Sequence, residues 1–119
     1  MNADITSIAA PSSSPAGEQV VVDVSVKNIS ASDQYIAVTA VYDSTSFPFQ
    51  FDYLLVSPGQ TVVFRGVFTM PSNNVRVTAW SWSWDGSQWV QDDQMTKDIV
   101  VAVSTPQVSE FQILDFSKV

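Results

Sequence analysis

The run VVVDVSVKN, Val20 to Asn28, alternates without a break. Val20, Val22, Val24 and Val26 take every second place, and Val21, Asp23, Ser25 and Lys27 fill the places between. Successive side chains of a β-strand point to opposite faces, so this period of two predicts a strand with one buried and one wet face. Such a strand must cover its apolar side, and a second sheet is the economical partner.

The same reading extends outward. Asp4 to Ala9 reads as a short strand anchored on Ile5 and Ile8, and PSSSPAGEQ (Pro11 to Gln19) as a turn-rich link. NISASDQ is a polar turn, and YIAVTAVYD (Tyr35 to Asp43) is apolar on both faces, as a central strand covered on both sides would be. Pro48 is unfit for a central strand, so Phe47 to Leu55 reads as an edge or bulged strand. SPGQ and PSNN are turns, and between them Val62, Phe64 and Phe68 oppose Val63, Arg65 and Val67. VRVTAWSWSW is a long strand, DGSQ a hairpin turn, WVQDD the start of the return, and TKDIVVAV the last regular strand. No segment sustains an apolar helical stripe. Seven or eight short strands separated by turns predict an all-β, two-sheet Greek-key sandwich, with a closed barrel as the competing architecture.

Composition bounds the rest. A chain of 119 residues is one ordinary domain, and 45% hydrophobic against 14% charged residues excludes disorder by composition. There are no cysteines and no histidines, which removes disulfides, Cys- or His-ligated metal sites and Ser–His–Asp or Cys–His catalysis. The net charge is −7, and Lys27, Arg65, Arg76, Lys97 and Lys118 stand singly, so no basic stripe exists for nucleic acid. No apolar run has the length of a membrane-spanning helix. The start, MNADITSIAAPSSS, lacks a positive n-region and an apolar h-region. The expectation is a chain used without Sec export, or a mature fragment given a new Met1.

ITSIAAPSSSPAGEQVVVDVSVKNISAS resembles the opening of bacterial immunoglobulin-like domains of the CARDB type: a short strand, a proline link, an AGE turn, a valine-rich strand, then KN and a small polar turn. VSPGQTVVFRGVFTMPSNNVRVTA resembles their later half, and the likeness runs over residues 4 to 103. The resemblance implies an immunoglobulin-like sandwich used as a spacer, an adhesion module or a part of a surface or virion assembly, with no shared catalytic residues. The chain departs from that pattern in its tryptophans and in its C-terminal tail. It divides into a sandwich over residues 1–105 and a tail over 106–119.

Remaining chemistry rests on carboxylates. Asp43, Asp52, Asp85, Asp92 and Asp93 are the candidates for a glycosidase pair, and each reads more simply as a solvated turn residue. Asp85, Asp92 and Asp93 near one hairpin are the residues calcium would use, yet no EF-hand or nonapeptide spacing is present. They read as a charged turn that keeps an edge soluble. No cofactor and no metal are expected. Asn28-Ile-Ser fits the N-glycosylation sequon and reads as a turn.

All four tryptophans, Trp80, Trp82, Trp84 and Trp89, lie in TAWSWSWDGSQWVQDD. From Val75, strict alternation puts Val75, Val77, Ala79, Ser81 and Ser83 on one face and Arg76, Thr78, Trp80, Trp82 and Trp84 on the other. Either a bulge near Ala79 flips the strand and carries the indoles into the core, or the register holds and they form an outer strip beside Arg76. Each tryptophan buries on the order of 200 Å², so an outer strip demands a partner. Pro106 ends the last strand, and Phe111, Ile113, Leu114 and Phe116 form a second apolar segment. That segment either lies on its own domain or pairs with a neighbouring subunit's sheet edge.

The reading is a non-catalytic structural or interaction module of a multi-subunit assembly, a phage virion component or an extracellular surface fibre. Its partner is another copy or another structural protein. The alternative is a carbohydrate-binding module that stacks sugars on the tryptophan strip.

Overall fold

In the computed structural model, which describes residues 1–102, Val20, Val22, Val24 and Val26 are fully buried and Val21 is 41% exposed. They sit in β3 (Gln19–Asn28), between β1 (Ala3–Ala9) and β7 (Thr61–Thr69), and all three strands run antiparallel. β7 obeys the expected alternation: Phe64 and Phe68 are buried while Arg65 and Val63 are exposed. Arg65 forks onto Asp23 across the wet face at 2.9 and 3.0 Å, which holds that carboxyl below its usual range.

The second sheet holds β2 (Ser13–Pro15), β9 (Trp89–Ala102), β8 (Val75–Trp84) and β4 (Gln34–Tyr42), in that order. Two short strands share the free edge of β4: β5 (Thr45–Ser46) pairs its end and β6 (Leu54–Val56) its beginning. The two sheets close on a core that adds Ile36, Val38, Val56, Met70, Val75, Val77 and Ile99 to the valines and phenylalanines. The architecture is a two-sheet, immunoglobulin-like β-sandwich with no helix among the described residues, not a closed barrel.

Several expectations need correction. Among the described residues there are nine strands, because the proline link contributes β2, which joins β9 in parallel through Ser13, Ser14 and Pro15. Ile8 is only half-buried, and Ala3 joins Ile5 as the anchor of β1, because the register slips between Ile5 and Ser7. Phe47 to Leu55 is not one strand: Pro48 starts a loop that turns Phe47 and Phe49 over Gly66, where a Cβ would meet their rings at 2.7 and 2.9 Å. Glycine at 66 thus makes room for the aromatic plug of Phe47, Phe49, Phe68 and Tyr42, whose Tyr42 and Phe68 rings stack at 4.4 Å. β4 is not covered on both sides, since Tyr35 and Thr39 on its outer face are exposed.

Asn28 is a buried bolt. Its side-chain amide donates to the carbonyls of Val56 and Ser32, both at 2.8 Å, and its Oδ1 accepts from the Ser30 N–H and hydroxyl. Its backbone N–H donates to Gln60 O, and its carbonyl accepts from Gly59 N–H. Gly59 supplies the positive φ (78°) that this turn requires. The sequon asparagine is the last residue of β3, paired with Ala3, and not the expected turn residue; its amide is buried. The expected tail contacts, Phe111, Ile113, Leu114 and Phe116, lie outside the described residues.

Candidate functional site

β8 keeps its alternation from end to end. Val75, Val77, Ala79, Ser81 and Ser83 are buried, while Arg76, Trp80, Trp82 and Trp84 lie on the face turned away from the other sheet. The bulge exists, but in β9: Ser81 pairs with Asp93 and Trp82 with Gln91, so Asp92 is the inserted residue. The tryptophans stay outside as a result, and the extra residue re-aims two carboxylates.

Asp92 and Asp93 turn to β1, accepting the Ala3 N–H at 3.0 Å and the Ile5 N–H at 2.9 Å. Ser81 donates its buried hydroxyl to the Ala3 carbonyl. Of the two buried serines between the tryptophans, Ser81 thus holds the main chain of β1, and Ser83 accepts from the Asn2 side chain just before it. Asp4, close to Asp93 and partly desolvated, is raised above the usual carboxylate range, first by burial and then by Asp93. Asp85 does a separate job: it accepts from the Ser87 and Gln88 N–H groups in the hairpin turn, and these bonds lower its pKa. Asp43 accepts the Arg76 N–H at 3.1 Å. Of the three aspartates expected to decorate one turn, only Asp85 does so, while Asp92 and Asp93 hold the main chain of β1. Among the described residues no three His, Cys, Asp or Glu side chains converge as a metal would need.

On the outer face the indoles are tied down sideways. Trp80 donates its Nε1–H to Gln94 Oε1 on β9 at 3.2 Å, and Trp82 donates to Thr39 Oγ1 on β4 at 2.9 Å. Trp84 and Trp89 face each other across the hairpin with ring centroids 5.5 Å apart. Two tyrosines missed in the sequence complete the patch: Tyr35 from β4 and Tyr53 from the loop before β6. Tyr53 lies 5.6 Å from Tyr35 and 6.1 Å from Trp89, so it bridges the β4 and β9 sides of the sheet. Tyr35, Tyr53, Trp84 and Trp89 are 45%, 54%, 37% and 38% exposed and line an open recess of about 290 Å³. A second recess of about 390 Å³ adjoins it, sharing Tyr53 and Trp89 and adding Trp82, Thr39, Ala37 and Asp52.

Arg76 stands apart from this patch. Its guanidinium is taken by Asp98, its cross-strand partner, at 2.7 and 3.3 Å, and the pair lowers the Asp98 carboxyl. The expected grouping of Arg76 with the tryptophans is corrected to an ion pair at the other end of the strand.

No family model and no curated protein sequence matches the chain. Solved structures do. The CARDB domain of a Pyrococcus furiosus protein, solved in complex with di-metal ions, superposes with a TM-score of 0.66 at 18% identity, over 84% of this chain and 94% of that one. The chain has the CARDB-type immunoglobulin-like fold. The likeness also extends to native alpha-2-macroglobulin from Escherichia coli, in a structure spanning domain MG7 to the C-terminus, with a TM-score of 0.59 at 14% identity. That match covers 84% of this chain and only 17% of the larger one. At these identities the CARDB-type fold is what is shared, and the aromatic face must be read from its own residues.

Proposed function

We propose that this chain is a non-catalytic interaction module that docks other structural proteins through the outer face of its larger sheet. The observation that carries the reading is the unbroken alternation of β8. It leaves Trp80, Trp82 and Trp84 on a face that none of the described strands covers, where Trp89, Tyr35 and Tyr53 join them. Exposed aromatic clusters of this size are enriched at protein interfaces, because large rigid rings bury much area at low entropic cost. Exposed Phe51 and Leu55 extend the apolar surface along the β4 edge. The reading includes assembly into a multi-subunit particle, a phage virion or an extracellular surface fibre, with another copy or another structural protein as partner.

The glycan alternative has a specific observation in its favour: Thr39 and Asp52 supply polar groups beside Trp82 and Trp89. The ring geometry favours protein, since neighbouring rings meet at 49°, 65° and 83° and form no flat platform for a sugar chain.

The test is a light-scattering mass for the chain and for the double variant Trp80→Ser/Trp82→Ser. The expected result is an oligomer in the parent that dissociates at least tenfold more readily in the variant, which stays folded with an unchanged far-UV circular dichroism spectrum. A strict monomer at all concentrations would remove self-docking and leave only a different partner. A monomer whose tryptophan emission is quenched by oligosaccharides would transfer the face to the glycan reading.

A further inference from the structure

The recess at the hairpin end of the sheet is walled by four aromatic rings in series: Tyr35, Tyr53, Trp89 and Trp84. Successive centroids are 5.6, 6.1 and 5.5 Å apart, and successive rings are turned by 83°, 49° and 65°. The series bends around a hollow, unlike a strip of coplanar rings. A cation is attracted to an aromatic face when it lies within about 6 Å of the ring centroid. Centroids spaced this closely leave room for one cation within that reach of several rings at once.

Charge points the same way. Among the described residues no lysine or arginine lines either recess, and Asp52 lines the adjoining one. The whole chain carries a net charge of −7, a field that concentrates cations at its surface. The four walls are rings, which offer few acceptors. A primary ammonium entering there would bring three N–H donors needing partners, and each unpaired donor opposes binding. A quaternary ammonium has no N–H. It brings only methyl groups, which pack on rings, and a diffuse positive charge, which the ring faces attract.

From this geometry we infer that the Tyr35–Tyr53–Trp89–Trp84 recess is an aromatic cage for a quaternary ammonium group, a trimethylammonium head on a short stalk of the choline type. The cage uses four rings of the proposed docking face, so it is tested on a subunit shown by light scattering to be monomeric under the titration conditions. A lone subunit carries all four walls, so failure of self-association leaves the cage standing, and failure of the cage in that monomer leaves the docking face standing.

The experiment is a ligand-observed NMR titration of the full chain with choline and tetramethylammonium, at matched ionic strength. The control is 3,3-dimethyl-1-butanol, the neutral carbon analogue of choline. The expected result is saturable binding of both cations at millimolar concentration, with the neutral analogue about tenfold weaker or more. Tyr53→Ala, in the loop before β6, should lose about tenfold in affinity, Tyr53→Phe should retain it, and Trp80→Phe, outside the cage, should be silent. Sedimentation with phosphatidylcholine vesicles separates the sources of the group. Co-sedimentation that Tyr53→Ala abolishes names a bilayer, and choline binding without co-sedimentation names a soluble or polymer-borne head; the cage stands in either case. Equal binding of choline and its neutral analogue, no saturation by either cation, or full affinity in Tyr53→Ala would overturn the assignment.

Discussion

Val24→Asp unfolds this domain or lowers its melting temperature by roughly 15–30 °C, while Val21→Asp moves it by only a few degrees. The residues are three apart on one strand and chemically identical, so the difference isolates the face. Val24 is fully buried at the centre of the smaller sheet, paired with Ile8 on one side and Phe64 on the other. A carboxylate there has no partner. Burying it, and losing the valine contacts, costs about 4 kcal/mol or more, a large share of a small domain's total stability. About 1 kcal/mol corresponds to roughly 4–8 °C in a domain of this size, which gives the expected shift. Val21 points to water, 41% exposed, where an aspartate costs about 1 kcal/mol or less through lost strand preference. Thermal melts of the two variants decide the matter, and equal damage from both would reverse the assignment of faces.

Asn28→Ala is expected to cost about 2–4 kcal/mol, because it strips donors from two carbonyls and the acceptor from Ser30 in one step. Asn28→Asp tests the same bolt with almost no change of shape. It keeps the acceptor for Ser30 but sets a negative oxygen against the carbonyls of Val56 and Ser32. It should therefore be worse than alanine near neutral pH. The sign with pH follows: a carboxyl held in that place has its folded pKa raised, so the variant regains stability as pH falls through that value and the group takes up a proton. Urea melts of both variants at neutral and mildly acidic pH supply the measurement. A neutral Asn28→Ala would show that the turn from Ser57 to Gln60 holds itself.

The sequence carried the sandwich well where a strand had one wet face. Val20 to Val26 and Thr61 to Met70 alternate cleanly, because one side meets the core and the other meets water. It carried β4 poorly. Tyr35, Ala37, Thr39 and Val41 look like a second buried face, yet among the described residues no further layer covers it: Tyr35 and Thr39 are exposed, and Ala37 pairs with Trp82 and lines the same recess as that indole. The tryptophan question had two answers because alternation cannot say which strand of a hairpin holds a bulge. The extra residue is Asp92, in a polar run where side-chain type gives no sign of direction. The serines between the tryptophans held the missing clue, since small polar residues on a core face mark a close main-chain neighbour, here β1. Of the recess, Trp84 and Trp89 were legible from their places across the hairpin. Tyr35 shares the outer face of β4, and strand parity alone could have found it. Tyr53 could not be found that way, because it comes from a loop whose path Pro48 and Gly66 decide.

The central claim is that the indoles of β8 face outward, and acrylamide quenching of tryptophan emission tests it most directly. The sample must be a subunit shown by light scattering to be monomeric under the conditions used. With Trp84 and Trp89 more than a third exposed and Trp80 and Trp82 half-buried on the outer face, emission should be red-shifted and quenched by acrylamide. A blue emission maximum that acrylamide leaves untouched would place the tryptophans in the core and contradict the account.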